Sequence, residues 1–426
     1  MEQTATRTAE FETFDKKRRR FLLVCLIGAF VVGLAYTWAV LQNPFIQQMG
    51  GDAVTSTVVL CYTVTVVSSC MSPSVFGAFT KKLGPKKTIL LGTLMFGLGY
   101  IVSGRTSSMV LFFISFGLGT GIGSGFIYPT IMGYMATVFP DKRGSVSGAV
   151  AGVYGGASIV WSPLLAGWIE KSGLAAALLI VGVIALVCIG AVSFLIEQPP
   201  EQPPEGYLEY KSKSAAPSGA GKAVKKTNLP DLTRGQMVKT SMFYVAIIAF
   251  AFGCTSGMMV ISQVSSIMQK GFAMTATQAA VYVSVTSFMS MMGRFIWGWV
   301  TDHFNKYVTL SIICGLPVIT MGLLAVSASM PLTVACLAVT ALCYGGFGST
   351  ITPITADLFG SKHVTENYGV MYLAFGFAGL VGPQLAVNFS SGGDYTTAYL
   401  VAAVISAIAL VMALLVRKKV LSSYTD

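Results

Sequence analysis

The chain has 426 residues, 54% of them hydrophobic and only 11% charged, with a formal charge of +11. A mean hydropathy of +0.71 is more apolar than a water-soluble domain of this length can carry on its surface, which excludes a soluble protein. The excess positive charge does not point to nucleic acid, because its placement along the chain follows a membrane rule.

Apolar runs long enough to cross a ~30 Å hydrocarbon core as helices occur at residues 21–41, 56–79, 87–104, 109–134, 145–169, 174–195, 241–265, 278–300, 307–328, 331–357, 367–389 and 396–416. The first is followed by no small-residue cleavage site and is expected to remain as a helix. The fourth contains "GLGTGIGSG" (Gly117 to Gly125). This run lies inside an apolar span and lacks a following Lys-Ser/Thr, so it predicts close helix packing and not a nucleotide loop. After the sixth run, "EQPPEQPPEGYLEYKSKSAAPSGAGKAVKKTN" has the composition of a linker. The expected fold is therefore an all-α integral membrane protein of twelve transmembrane helices in two six-helix bundles. Its expected parts are residues 1–195 with an N-terminal tail, a linker at 196–240, and residues 241–426 with a short tail.

With both termini in the cytoplasm, 24 of the 28 Lys and Arg lie in cytoplasmic tails and loops, including "KKRRR" (Lys16 to Arg20), "KKLGPKK" (Lys81 to Lys87) and "RKK" (Arg417 to Lys419). Arg105, Lys171 and Lys270 fall outside, and Arg294 falls within a span. This asymmetry predicts a multi-pass protein of the cytoplasmic membrane. The eight cysteines stand singly within predicted spans, as small apolar residues do. The two histidines, His303 and His363, are loop residues, so no metal site and no cofactor are expected.

The two halves resemble each other weakly. "GAFTKKLGPKKT" (Gly77 to Thr88) matches "GWVTDHFNKYVT" (Gly298 to Thr309) at an offset of 221, and "FPDKRGSVSG" (Phe139 to Gly148) has a loose counterpart in "FGSKHVTENYG" (Phe359 to Gly369). An internal repeat of this kind suits two similar bundles that rock about one substrate site.

Twelve spans, a polar central loop and the repeated loop motif resemble the major facilitator superfamily over essentially the whole chain. The resemblance implies a gating loop signature of a glycine, an acid four residues later, then glycine and basic residues. Gly298 and Asp302 fit it, with Lys306 as the base. Gly77 and Gly84 fit it in the first half, but Lys81 stands where the acid is expected. The stretches "AYTWAVLQNPF" (Ala35 to Phe45), "FPDKRGSVSG", "YGG" at Tyr154, "GRFIWGWVTD" (Gly293 to Asp302) and "ENYGVMYLAFG" (Glu366 to Gly376) resemble the oxalate/formate antiporter and monocarboxylate transporter branch.

Arg294 interrupts "FMSMMGRFIWGWVT" (Phe288 to Thr301), and its Cα is expected about 9 Å inside the cytoplasmic boundary at ~1.5 Å per residue. One reading is snorkelling to the headgroups. The other is a substrate-binding cation, since an intramembrane charge costs about 2.5 kcal/mol or more unless compensated. All 17 Asp and Glu fall in tails, loops or at helix ends, with Asp302, Asp357 and Glu170 nearest the spans. A small anionic substrate is the counter-ion this pattern suggests, and a guanidinium fork suits a carboxylate.

By resemblance to the oxalate/formate branch, Tyr36, Tyr128, Tyr154, Tyr344 and Tyr372 match its substrate-site aromatics. Their hydroxyls could hold carboxylate oxygens while the rings exclude water. Where the oxalate exchanger places a second cation, this chain has Phe375. One cation fits one carboxylate, which favours lactate-, pyruvate- or formate-like acids over oxalate. Vertebrate-type monocarboxylate carriers have an acid four residues before the arginine, and here that residue is Ser290. No deep titrating acid or histidine is available for proton coupling, so uniport, proton symport and exchange against a counter-anion stay open. The alternatives to a monomeric secondary carrier in a lipid bilayer are an oxalate/formate-type dicarboxylate exchanger and a non-transporting sensor. A membrane enzyme is disfavoured, because no catalytic constellation falls within the spans.

Overall fold

The computed structural model describes residues 2–197, 202–207, 210, 231–274, 276–326, 329–389 and 394–422. The central part of the expected linker lies outside these residues. The described residues form helices joined by short turns, with no β-strand among them. We number the principal helices α1 (Glu2–Val32), α2 (Trp38–Met49), α3 (Thr55–Val75), α4 (Gly77–Ser103), α5 (Gly121–Val138), α6 (Arg143–Gly156), α7 (Ser158–Leu195), α8 (Ser241–Phe272), α9 (Ala276–His303), α10 (Lys306–Val326), α11 (Met330–Phe359), α12 (Val364–Met371), α13 (Leu373–Asn388) and α14 (Thr396–Ser422). The twelve expected spans fall mostly on helical backbone, interrupted by turn or bend residues at Phe76, Gly104, Ala157, Tyr372 and Phe389, and residues 327–328 lie outside the described set.

Among the described residues, eight helical stretches are long and apolar enough to cross a membrane, and a ninth is gained if the pair Leu60–Val75 and Gly77–Ser103, bent by 94°, is taken as one span. The difference from twelve has visible sources. One qualifying stretch, Arg143–Leu195, contains Gly173 at φ 78°, ψ 166°, a region open to glycine, and so holds two expected spans. The bent pair holds two more, and α9, with Arg294 inside it, stands outside the qualifying set. The expected second span, 56–79, overran: helix α3 ends at Val75 and the chain turns, although apolar residues continue through Phe79.

Two compact units are present, Met1–Asp141 with Val153–Asn228, and Lys142–Gly152 with Leu229–Asp426. Helix α6 thus begins in the second unit and ends in the first. Between helices in lipid the hydrophobic effect gives little drive, so close van der Waals packing of small residues holds the bundle. In the first unit the glycine run supplies this. A Cβ placed on Gly123 would lie 2.7 Å from the Gly92 carbonyl oxygen, and one on Gly125 would lie 2.3 Å from that of Ser69. A π-helical segment, Phe113–Thr120, leads into this run. An aromatic core of Phe45, Phe96, Tyr100, Phe112 and Phe116 is buried beside it. The second unit has an aliphatic core that includes Met259, Val264, Met321, Leu337 and Ala402.

The described ends of the linker are docked on their own units. Tyr207 packs its ring against Phe11 and Phe14, and its hydroxyl donates to Asp15. Arg18 is held by Asp141 at 2.5 and 3.1 Å. In the second unit, Leu232 N–H donates to the Phe359 carbonyl at 2.9 Å, and Asn367 Nδ2 donates to the Leu232 carbonyl at 3.0 Å.

Candidate functional site

Arg294 is 9% exposed, and its position is set by two glycines. A Cβ on Gly345 would lie 2.0 Å from the Ser290 carbonyl oxygen and 3.0 Å from Arg294 N, and one on Gly148 would lie 2.2 Å from the Arg294 carbonyl oxygen. No side chain fits at either point, so α11 and α6 lie directly against the arginine's backbone on α9. The guanidinium stem passes over a third small residue. A Cβ on Gly348 would be 3.9 Å from Arg294 Nε and 3.6 Å from Ala151 Cβ. Arg294 is therefore enclosed by packed helices α6, α9 and α11.

One helical turn from Gly348, on the same face of α11, stands Tyr344. Its ring meets Phe375 edge-on at 6.3 Å, and Phe375 lies 5.5 Å from Tyr372. Tyr344, Tyr372 and Phe375 thus form one aromatic group in the second unit. Tyr344 is buried, at 6% exposed, and Tyr372 and Phe375 are half-buried.

The first unit holds the other three expected tyrosines together. Tyr154 stacks on Tyr128 at 4.2 Å and meets Tyr36 edge-on at 5.0 Å. Gly33 makes this possible, since a Cβ there would lie 2.5 Å from the Tyr154 carbonyl oxygen. The chain between α1 and α2 tightens into a 3-10 segment, Gly33–Thr37, which carries Tyr36 to that contact. Sequence reading missed the neighbouring group. Trp38 stacks on Tyr62 at 4.7 Å with rings 7° from parallel, and its indole N–H donates to Gln42 Oε1 at 3.1 Å. The i, i+4 spacing of Trp38 and Gln42 inside "AYTWAVLQNPF" was the available signal.

The loop residues divide between the halves. Gly77 opens α4 and Gly84 breaks it at φ 72°, ψ 173°. In the second unit Gly298 packs on Gly144, where a Cβ would lie 2.5 Å from the Gly144 carbonyl oxygen. Asp302 accepts from the backbone N–H groups of Gly144 at 2.7 Å and Ser145 at 2.6 Å. These are among the first N–H groups of α6, which lack intrahelical acceptors, and the positive end of the helix dipole favours an anion there. Burial nevertheless pushes the Asp302 carboxyl pKa up, against the lowering effect of these bonds. The other boundary acid, Asp357, pairs with Lys306 at 2.8 Å and accepts from the Tyr307 hydroxyl. All eight cysteines are free, and among the described residues no group of three His, Cys, Asp or Glu could hold a metal.

The sequence has relatives of matching length. It is 27% identical to the oxalate:formate antiporter of Oxalobacter formigenes, over 92% of this chain and 88% of that protein. It is 23% identical to monocarboxylate transporter 12 of Rattus norvegicus, over 89% of this chain and 80% of that protein. Among solved structures it resembles FucP in the outward conformation, with a TM-score of 0.68, 15% identity and coverage of 93% and 98% of the two chains. It likewise resembles the human organic anion transporter MFSD10, with a TM-score of 0.69, 14% identity and coverage of 93% and 99%. Both structural likenesses speak for the fold. The model of the Major Facilitator Superfamily matches residues 25–333 and 318–424, and the chain belongs to that superfamily of membrane carriers, which are not enzymes.

Proposed function

We propose that the chain carries short monocarboxylates, of the lactate, pyruvate or formate kind, across the cytoplasmic membrane by alternating access. The observation that carries this reading is the enclosure of Arg294, 9% exposed, at the junction of three helices. A guanidinium fixed in a low-dielectric interior binds a planar carboxylate through two parallel hydrogen bonds. In the second unit the hydroxyls of Tyr344 and Tyr372 serve as further donors, and in the first unit Tyr36, Tyr128 and Tyr154 form a candidate donor group of their own. Phe375 is neutral, so the site offers one full positive charge and favours one carboxylate. Residues 1–195 and 241–426 act as the two bundles, joined by 196–240, with both termini cytoplasmic. Gly77, Gly84, Gly298 and Asp302 belong to the loops that gate them.

A second reading is oxalate/formate-type exchange, favoured by the relative of that name at 27% identity. One experiment separates the two. The purified chain in liposomes is given labelled lactate, pyruvate, formate or oxalate, with and without internal substrate, before and after a pH jump. Uptake of a monocarboxylate in preference to oxalate supports the first reading. Uptake only against internal anion identifies exchange, and uptake driven by the pH jump identifies proton coupling. Failure to move any of the four acids discards both readings.

A further inference from the structure

Two buried hydroxyls on the helices that flank Arg294 have no hydrogen-bond partner. Ser147 on α6 is 1% exposed and Thr352 on α11 is 0% exposed, and neither Ser147 Oγ nor Thr352 Oγ1 makes a hydrogen bond. A helical serine or threonine usually satisfies its hydroxyl on the carbonyl one turn back, as Thr350 and Thr355 do on the same helix. Leaving two buried hydroxyls unsatisfied is costly in a packed interior.

Helix register places both one turn from the point where the guanidinium stem passes. The pairing of Gly144 with Asp302, Gly148 with Arg294 and Gly152 with Phe295 makes α6 antiparallel to α9. Gly293 on Leu342 and Gly346 on Trp297 make α9 and α11 run the same way. Ala151 and Gly348 meet where the guanidinium stem passes. Ser147 lies one turn from Ala151 and Thr352 one turn from Gly348, each on the same helix face and each toward the end that holds Asp302.

We infer that Ser147 and Thr352 form a second station for the substrate carboxylate, on the Asp302 side of Arg294. The station supplies two neutral O–H donors and no acid, which suits an anion in transit. The carboxylate leaves the guanidinium fork and passes to weaker donors before release, so the charged pair is not broken in a single step. The inference rests on the monocarboxylate reading of Arg294 and adds its exit route.

The test uses the full chain in liposomes with labelled formate, lactate and pyruvate. Ser147→Ala and Thr352→Val each lower exchange turnover about tenfold, the loss of one hydrogen bond to a charged group, while KM measured from the Arg294 side changes less than twofold. Ser147→Thr and Thr352→Ser, which keep a hydroxyl, retain at least half of the activity. Removing an unpartnered hydroxyl, for hydrogen in Ser147→Ala and for a methyl group in Thr352→Val, forfeits no hydrogen bond within the fold, so Tm is maintained and lost turnover is not lost folding. Turnover within twofold of the parent in both apolar variants overturns the inference, as does a tenfold rise in KM at constant turnover. If the parent chain moves none of the three acids, the carrier reading itself fails. If the parent is active and the variants are unaffected, only the station fails.

Discussion

The two units hold aromatic groups of similar make-up and different electrical character. In the first, Tyr36, Tyr128 and Tyr154 form a neutral cluster, flanked by the stacked pair Trp38 and Tyr62. In the second, Tyr344, Phe375 and Tyr372 share their unit with the buried guanidinium of Arg294. The same asymmetry recurs in the repeated loops, where Asp302 caps the start of α6 and the corresponding position in the first half is Lys81. The two halves thus repeat the loop pattern and differ in where the charged side chains stand. On the proposed reading, the second half recognises charge and the first contributes shape and neutral donors.

The largest effect is expected where the charge is removed. Arg294→Ala lowers uptake of labelled monocarboxylate at least ~100-fold, since both arms of a charge-assisted fork are lost. Arg294→Lys keeps the charge without the fork and loses about tenfold. Full activity of Arg294→Ala in liposomes would remove the basis for assigning recognition to the second half. Adding charge to the same group comes next. Phe375→Lys is expected to raise the oxalate-to-formate uptake ratio by about tenfold, because a second cation pairs the second carboxylate. An unchanged ratio would show that Phe375 does not face the substrate. In the neutral cluster, Tyr154→Phe keeps the ring stack and removes one hydroxyl, and uptake should fall about fivefold, mainly through KM. A loss as large as that of Arg294→Ala would erase the contrast between the halves.

The all-helical architecture was legible because, in lipid, every backbone polar group must be satisfied within the helix, and apolar length reports that. The end of the second span was not. The turn after Val75 is a packing event inside a run that stays apolar through Phe79. Arg294 and the candidate tyrosines could be proposed from residue type and likeness. The local contacts could not, because they depend on Gly33 in the first unit and on Gly345 and Gly148 in the second as points of close approach among 46 glycines. Ser147 and Thr352 read as ordinary helical hydroxyls until their missing partners are seen. Arg18, within the tail run "KKRRR", is likewise not distinguished by sequence: it is 5% exposed, paired with Asp141 and Asp15 and covered by the Tyr207 ring at 5.1 Å.

The smallest effect concerns what holds Asp302 to α6, and here two physical terms oppose each other. The N–H groups of Gly144 and Ser145 favour the ionised carboxylate, and burial disfavours it. Burial is the larger influence, so the folded-state pKa lies above the ordinary aspartate value. A carboxyl raised in this way contributes stability that is complete below the unfolded-state pKa, about 3.9, and is lost as pH rises through the folded-state value. Asp302→Asn has nearly the same shape and does not titrate. Thermal melts in detergent from pH 4 to 7 should therefore show the parent losing stability relative to Asp302→Asn as pH rises, by on the order of a few degrees in Tm. Subtracting the two curves cancels the other acids. A difference of opposite sign would mean that the helix N-terminus outweighs burial and that Asp302 is held by its charge. In that case Lys81, with the wrong charge for such a role, would mark the first-half loop as one that lost a latch. The expected sign instead makes burial the stronger influence on Asp302, whose two oxygens still each accept one N–H, so that Asp302→Asn keeps one of these bonds and loses the other.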